Sequence, residues 1–174
     1  MIKRNTKSGN KNIPDHAFFA EGKISCQERK YTMIKSLKDQ RTIRVRFNEA
    51  DPLGVVWHGH YVRYFEDGRE SFGQKYGISY LDFFNHGVVV PIVHIDCDYK
   101  RPLRYGESVF VETEYIPCDA AKLHFKYRLI TLTGELVASG SSMQVFLGKE
   151  DFILQLVNPP FFAEWKVKHG MGQV

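Results

Sequence analysis

Asp51 is the residue in this chain best placed for chemistry. It sits in F-N-E-A-D-P-L-G-V-V-W-H-G-H-Y, between an alternating segment and an amphipathic one. Pro52 fixes φ and cannot pair in a ladder, and Gly54 accepts a turn, so Asp51-Pro52-Leu53-Gly54 reads as a loop. A carboxylate there faces the free backbone N–H groups of a helix start. That arrangement suits a base or nucleophile acting on an electrophile that the N–H groups polarise. The plainer role of the same residue is to cap the turn, since Asp before Pro-x-Gly is common in turns.

Other reactive side chains are weaker candidates. His58-x-His60 with Asp51 resembles part of a metal site, but no third histidine lies at a recognisable spacing, so no metal is expected. Glu66 is the reserve acid, its plainer role being a solvated partner for Arg63 or Arg69. Lys100, Arg101 and Arg104 cluster at a strand end, where they suit phosphates or a solvated rim. Cys97 alternates in a strand, which favours a core role over a nucleophilic one. No G-x-S-x-G, phosphate-binding loop or G-x-G-x-x-G occurs.

The elements that must hold Asp51 follow from periodicity. Ile43, Val45 and Phe47 alternate with Arg44 and Arg46 as a strand. Tyr61, Tyr64, Phe65, Gly68 and Phe72 recur at helical spacing, and Gly77 suits the C-cap. Ser79 opens a short helix to Asn85. Strands follow over 88–99, where Pro91 predicts an irregularity, and over 108–115, 122–132 and 135–147, the last two joined by a turn at Thr133-Gly134. This order predicts an α+β fold, a curved sheet wrapped around one helix. One helix cannot cover such a sheet, so a homo-oligomer is expected.

Composition sets the bounds. A chain of 174 residues, 43% hydrophobic and 25% charged, suits one globular domain over 41–174 with a flexible extension over 1–40. Met33, close to the first strand, is a second candidate start of translation. The net charge of +4 sits in the extension: residues 1–40 carry nine cations against four acids, leaving −1 for the remainder. Nucleic-acid binding is therefore not expected. Three cysteines without C-x-x-C spacing fit a reducing compartment. With no membrane-length apolar run and no secretory signal, a cytoplasmic location is expected.

The pattern D-P-x-G-x-V-x-x-x-x-Y, filled by Asp51, Pro52, Gly54, Val56 and Tyr61 and followed by an aromatic-rich helix, resembles the 4-hydroxybenzoyl-CoA thioesterase type of hotdog-fold acyl-CoA thioesterases. D-Y-K-R-P-L-R-Y-G-E, Asp98 to Glu107, is similar to that family's strand-end block. The resemblance spans roughly residues 40–148. It implies a hotdog fold, a curved antiparallel five-stranded sheet around a long central helix, and hydrolysis of an acyl- or aroyl-CoA without metal or organic cofactor. Asp51 would be general base or nucleophile, and the polarising backbone N–H falls on His58. Gly54, Val56, Trp57 and Tyr61 would line the substrate. The family assembles as dimers, often tetramers, with active sites at subunit boundaries. Two other readings stay open: a hotdog dehydratase using His58 or His60 with Glu66, and a non-catalytic module that binds an acyl thioester or a partner protein.

Overall fold

The axis of the protein is α1 (Gly59–Tyr76), whose buried face is Tyr61, Tyr64, Phe65, Gly68 and Phe72, as the periodicity predicts. The computed structural model describes residues 36–171. Gly77 ends α1 at φ 74°, a left-handed cap whose N–H returns to the Gly73 carbonyl at 2.8 Å. Around α1 curls a sheet in the order β1 (Lys38–Arg44), β4 (Ser108–Tyr115), β5 (Lys122–Thr131), β6 (Leu136–Val145), β3 (Ile92–Tyr99), antiparallel throughout. This is the α+β hotdog arrangement. Gly68 is needed for the close approach of α1 to β4, because a Cβ there would collide with Val111 and Thr113.

Along β4 and β5 every second residue is buried on the inner face of the sheet, most of them apolar: Val109 and Val111 on β4 and Leu123, Phe125, Tyr127 and Leu129 on β5. Phe65 stacks on Tyr127 with centroids 4.6 Å apart. Burying rings of this size contributes roughly 1.5–3 kcal/mol each. Pro91 separates β3 from the short β2 (Val88–Val89), which pairs instead with β7 (Leu147–Gly148). The β3–β6 register shifts between Ile92 and His94, the expected irregularity. Ser79 caps α2 (Tyr80–Asn85), its hydroxyl accepting from the Asp82 N–H.

Three features depart from the sequence expectations. Phe47 does not share a buried strand face with Ile43 and Val45; β1 ends at Arg44, and Phe47 opens a 3-10 turn (Phe47–Glu49) with 80% of its surface exposed. Arg69 does not pair with Glu66. It is buried, donating to the hydroxyls of Tyr80 and Tyr127 at 2.7–2.9 Å. A third helix, α3 (Pro160–Lys168), packs Phe162 and Trp165 against the core and donates from Trp165 Nε1 to the Tyr76 carbonyl at 2.7 Å. Its signal was Pro at the first helical turn after Pro159.

β1 begins at Lys38, so Lys38–Gln40 of the expected extension are paired with β4. Leu37 is buried too, its carbonyl accepting from the Tyr115 N–H at 3.1 Å. The expected flexibility of residues 1–35 and the start at Met33 lie outside the described residues. Among the described residues, no helix is long and apolar enough to cross a membrane.

A polar clamp joins β1 to α1. Asp39 accepts from Ser71 Oγ at 2.7 Å and Lys75 Nζ at 2.9 Å. Burial acts to raise the Asp39 carboxyl, but the Lys75 and Ser71 hydrogen bonds outweigh it and hold it below its ordinary value. A carboxyl depressed by folding stabilises above its unfolded pKa, about 3.9, and that contribution is lost as the pH falls through the lower folded value. Urea melts between about pH 5 and 3 should therefore show a shallower loss of stability for Asp39→Asn than for wild type. Identical profiles would mean that the clamp contributes nothing.

Candidate active site

The chain leaves β1 at Arg44 and is pinned at once. The N–H of Val45 donates to the Glu107 carbonyl at 2.9 Å, and the Val45 carbonyl accepts from Gly106 at 3.1 Å. After the 3-10 turn comes a carboxyl that sequence reasoning missed. Glu49 is 2% exposed, and its Oε2 accepts from the Arg46 N–H and the Tyr64 hydroxyl, both at 2.7 Å. Burial, and next the Glu49 acceptor, push the Tyr64 phenol far above its ordinary value, so it stays protonated and donates. Nothing in N-E-A-D marks Glu49 as buried, because the single acid matches no period.

A tight hairpin follows. Trp57 N–H donates to the Glu49 carbonyl at 2.9 Å and Asp51 N–H to the Val55 carbonyl at 2.8 Å, with Ala50 bridged to Val56. Asp51 Oδ1 caps the turn, accepting from Leu53 N–H at 2.9 Å and more weakly from Val55 N–H at 3.4 Å. The turn-capping role is therefore real. It occupies only one oxygen: Oδ2 takes no hydrogen bond from the described residues. Gly54 adopts φ +74°, and a Cβ there would meet nothing, so its glycine serves the turn and not a close approach.

Val56 N–H donates to the Leu103 carbonyl at 2.8 Å, tying the hairpin to the loop after β3. Its side chain is 4% exposed and belongs to the core. Tyr61, also buried, accepts from the Leu103 N–H at 3.1 Å through its hydroxyl. Of the four residues expected to line substrate, the structure thus leaves Gly54 and Trp57 open and packs Val56 and Tyr61 inside the protomer.

α1 begins with His58 as the residue before the helix and no side-chain cap. Neither His58 N–H nor Gly59 N–H has an acceptor among the described residues, while His60 N–H returns to the Trp57 carbonyl at 2.9 Å. These are the orphan donors that a helix start offers an anion. Tyr99 on β3 donates to the His58 carbonyl at 3.1 Å. That carbonyl and the Gly59 N–H belong to one planar peptide, so the bond orients and polarises the Gly59 donor. Tyr99 too was missed as anything but strand. A Cβ at Gly59 would collide with the Trp57 ring, which folds over the helix start against His58, centroids 4.7 Å apart.

The remaining candidates are set apart by their contacts. Glu66 is exposed on α1. Arg101 is neutralised by Glu107 at 2.9 Å and Glu135 at 3.4 Å, and Lys100 lies 4.0 Å from Asp98. Burial raises the Cys97 thiol above its ordinary value, away from nucleophilic chemistry. No group of three metal-ligating side chains occurs among the described residues, so His58 and His60 with Asp51 do not form one.

The thioesterase-like superfamily matches residues 45–165 of the sequence. The chain belongs to that superfamily. Its relatives include YneP of Bacillus subtilis (strain 168), provisionally named an acyl-CoA thioesterase, which is 34% identical over 65% of this chain and 82% of that protein. A 1,4-dihydroxy-2-naphthoyl-CoA hydrolase of Prochlorococcus marinus (strain NATL2A) is 32% identical over 55% of this chain and 74% of its own. Among solved structures, a DHNA-CoA thioesterase from Staphylococcus aureus superposes with a TM-score of 0.69 at 28% identity, covering 75% of this chain and 89% of that one. The superfamily match takes in the Asp51 hairpin, the start of α1 and the loop after β3. The hairpin and the helix start bring a half-occupied carboxyl and two N–H groups without an acceptor among the described residues onto one short stretch of backbone. Such a set can activate water or attack a carbonyl while the carbonyl oxygen is stabilised.

Proposed function

We propose that this protein is an acyl-CoA thioesterase that hydrolyses the thioester of an acyl- or aroyl-CoA to the free acid and CoA. The observation that carries the reading is the pairing, on one hairpin, of Asp51 Oδ2 with the N–H groups of His58 and Gly59, all without a hydrogen-bond partner among the described residues. The thioester carbonyl lies between them, its oxygen on the N–H groups at the positive end of α1. Asp51 Oδ2 then takes a proton from water or attacks the carbonyl carbon to give an anhydride that water opens. In both routes CoA leaves as the thiol, and Leu53 N–H on Oδ1 keeps the carboxyl aimed. No metal or organic cofactor is required.

The working form is a homo-oligomer, a dimer or tetramer. β3 is an edge strand that exposes Val93 and Tyr99, and Trp57 and Leu53 are exposed at the hairpin. A second copy would cover this apolar surface and enclose the acyl group. The free thiols of Cys97 and Cys118 suit the reducing cytoplasm.

Free-thiol release across a panel of aliphatic and aromatic acyl-CoAs tests the reading. Turnover of at least one class, with kcat/KM in the enzymatic range above about 10⁴ M⁻¹s⁻¹, is expected. Tight binding without release from any thioester would replace the enzyme by a binding module.

A further inference from the structure

At the sheet edge opposite β3, a groove of about 450 Å³ runs beside β1, with Arg41, Arg44, Arg46, Phe47, Asp67 and Tyr105 in its wall. The three arginines are exposed, and none forms an ion pair with a described residue; Arg41 only reaches the Asp67 carbonyl at 3.5 Å. Asp67 is the single acid in the wall, so the groove is net cationic. Phe47 and Tyr105 stand beside it, 80% and 60% exposed, edge to face with centroids 5.7 Å apart. Charges on an edge strand also serve to block strand pairing. That purpose needs neither a cavity nor two bare aromatic rings.

We propose that this groove holds the nucleotide end of coenzyme A, phosphates on Arg44 and Arg46 and adenine against Phe47 and Tyr105. The inference rests on the thioesterase reading. Guanidinium groups match phosphate oxygens in forked pairs, and a purine stacks on an aromatic ring whatever its edge contacts. The reach is adequate. β1 and β3 are four strand spacings apart, ~19 Å, and β3 carries the Tyr99 that holds the helix start. A pantetheine arm of about four residue lengths extends ~14 Å, and the pyrophosphate adds the rest. The path between is paved by the loop after β3, which is hydrogen-bonded to Val56 at Leu103 and to Val45 at Gly106 and Glu107. Of Lys100, Arg101 and Arg104, the cations that the sequence suggested for phosphate, the first two are engaged by Asp98, Glu107 and Glu135. Arg104, one residue before Tyr105, is exposed and forms no ion pair with a described residue.

The test compares one acyl group carried by CoA and by pantetheine, which lacks the nucleotide, in the full chain. In wild type, kcat/KM should be higher with CoA. In Arg44→Gln/Arg46→Gln and in Phe47→Ala, the CoA-to-pantetheine ratio should fall about tenfold or more, as expected when charge-assisted phosphate contacts or a stacking platform are lost. A ratio unchanged in the variants overturns the proposal. So does a loss seen with acyl-carrier protein but not with CoA, which would make the groove a protein dock. If wild type cleaves no thioester, the thioesterase reading fails by itself, and calorimetry with adenosine 3′,5′-bisphosphate still decides. Binding weakened about tenfold in the variants upholds the nucleotide site; no binding, or equal binding, removes it.

Discussion

Asp51→Asn is expected to lower thioester hydrolysis by about two to four orders of magnitude with the fold intact. Asparagine is the informative replacement because Asp51 has two roles. Its Oδ1 accepts from Leu53 N–H and caps the hairpin turn, and an amide oxygen can do the same. Alanine would lose the cap as well, mixing a structural defect with a chemical one. What asparagine removes is Oδ2, the oxygen without a partner among the described residues, replacing it by an NH₂ that can neither take a proton from water nor attack a carbonyl. The measurement is kcat/KM for free-thiol release beside a thermal melt. A full rate at an unaltered Tm would clear Asp51 of catalysis and move the search to Glu66.

Glu49→Ala should produce the largest loss of stability near the site, about 2–4 kcal/mol in denaturant melts with little change in slope. Removing the side chain strands one buried donor, the Tyr64 hydroxyl, and one part-buried donor, the Arg46 N–H, and leaves a void at a residue 2% exposed. Each orphaned donor costs about 1–3 kcal/mol, partly relieved if water enters the void. For a domain of this size Tm would fall by roughly 2–4 °C per kcal/mol. Tyr64→Phe should be milder, since Glu49 keeps its bond to the Arg46 N–H. If Glu49→Ala costs under about 1 kcal/mol, the Glu49–Tyr64 contact does not anchor the hairpin. Activity should drop with stability, because the Glu49 carbonyl also receives the Trp57 N–H immediately before the helix start.

Much of this architecture was legible in the chain because it depends on local chemistry. The buried face of α1 follows from the spacing of Tyr61, Tyr64, Phe65, Gly68 and Phe72, and its end from Gly77, which alone among nearby residues takes φ 74° without strain. Strict alternation over Leu123–Leu129 sets the inner face of β5 in the same way. The Asp51 turn is readable because Pro52 and Gly54 restrict backbone angles whatever surrounds them.

Contacts between distant segments were not legible, and they decide the details of the candidate site. Val56 and Tyr61 look like pocket residues in the motif, yet both are drawn inward by hydrogen bonds to Leu103, more than forty positions away. Tyr99 reads as one more strand aromatic until β3 brings it to the His58 carbonyl. Phe47 continues the alternation of β1, but the chain turns after Arg44 so that Glu49 can reach Tyr64, and the ring is left in solvent. The sequence by itself determined the central helix, the inner face of β5 and the Asp51 turn, since periodicity and backbone restriction act within a few residues. Only the tertiary structure decided which carboxyl is buried, which N–H groups stay unpaired and which arginines find no partner among the described residues, because each depends on what a remote segment supplies.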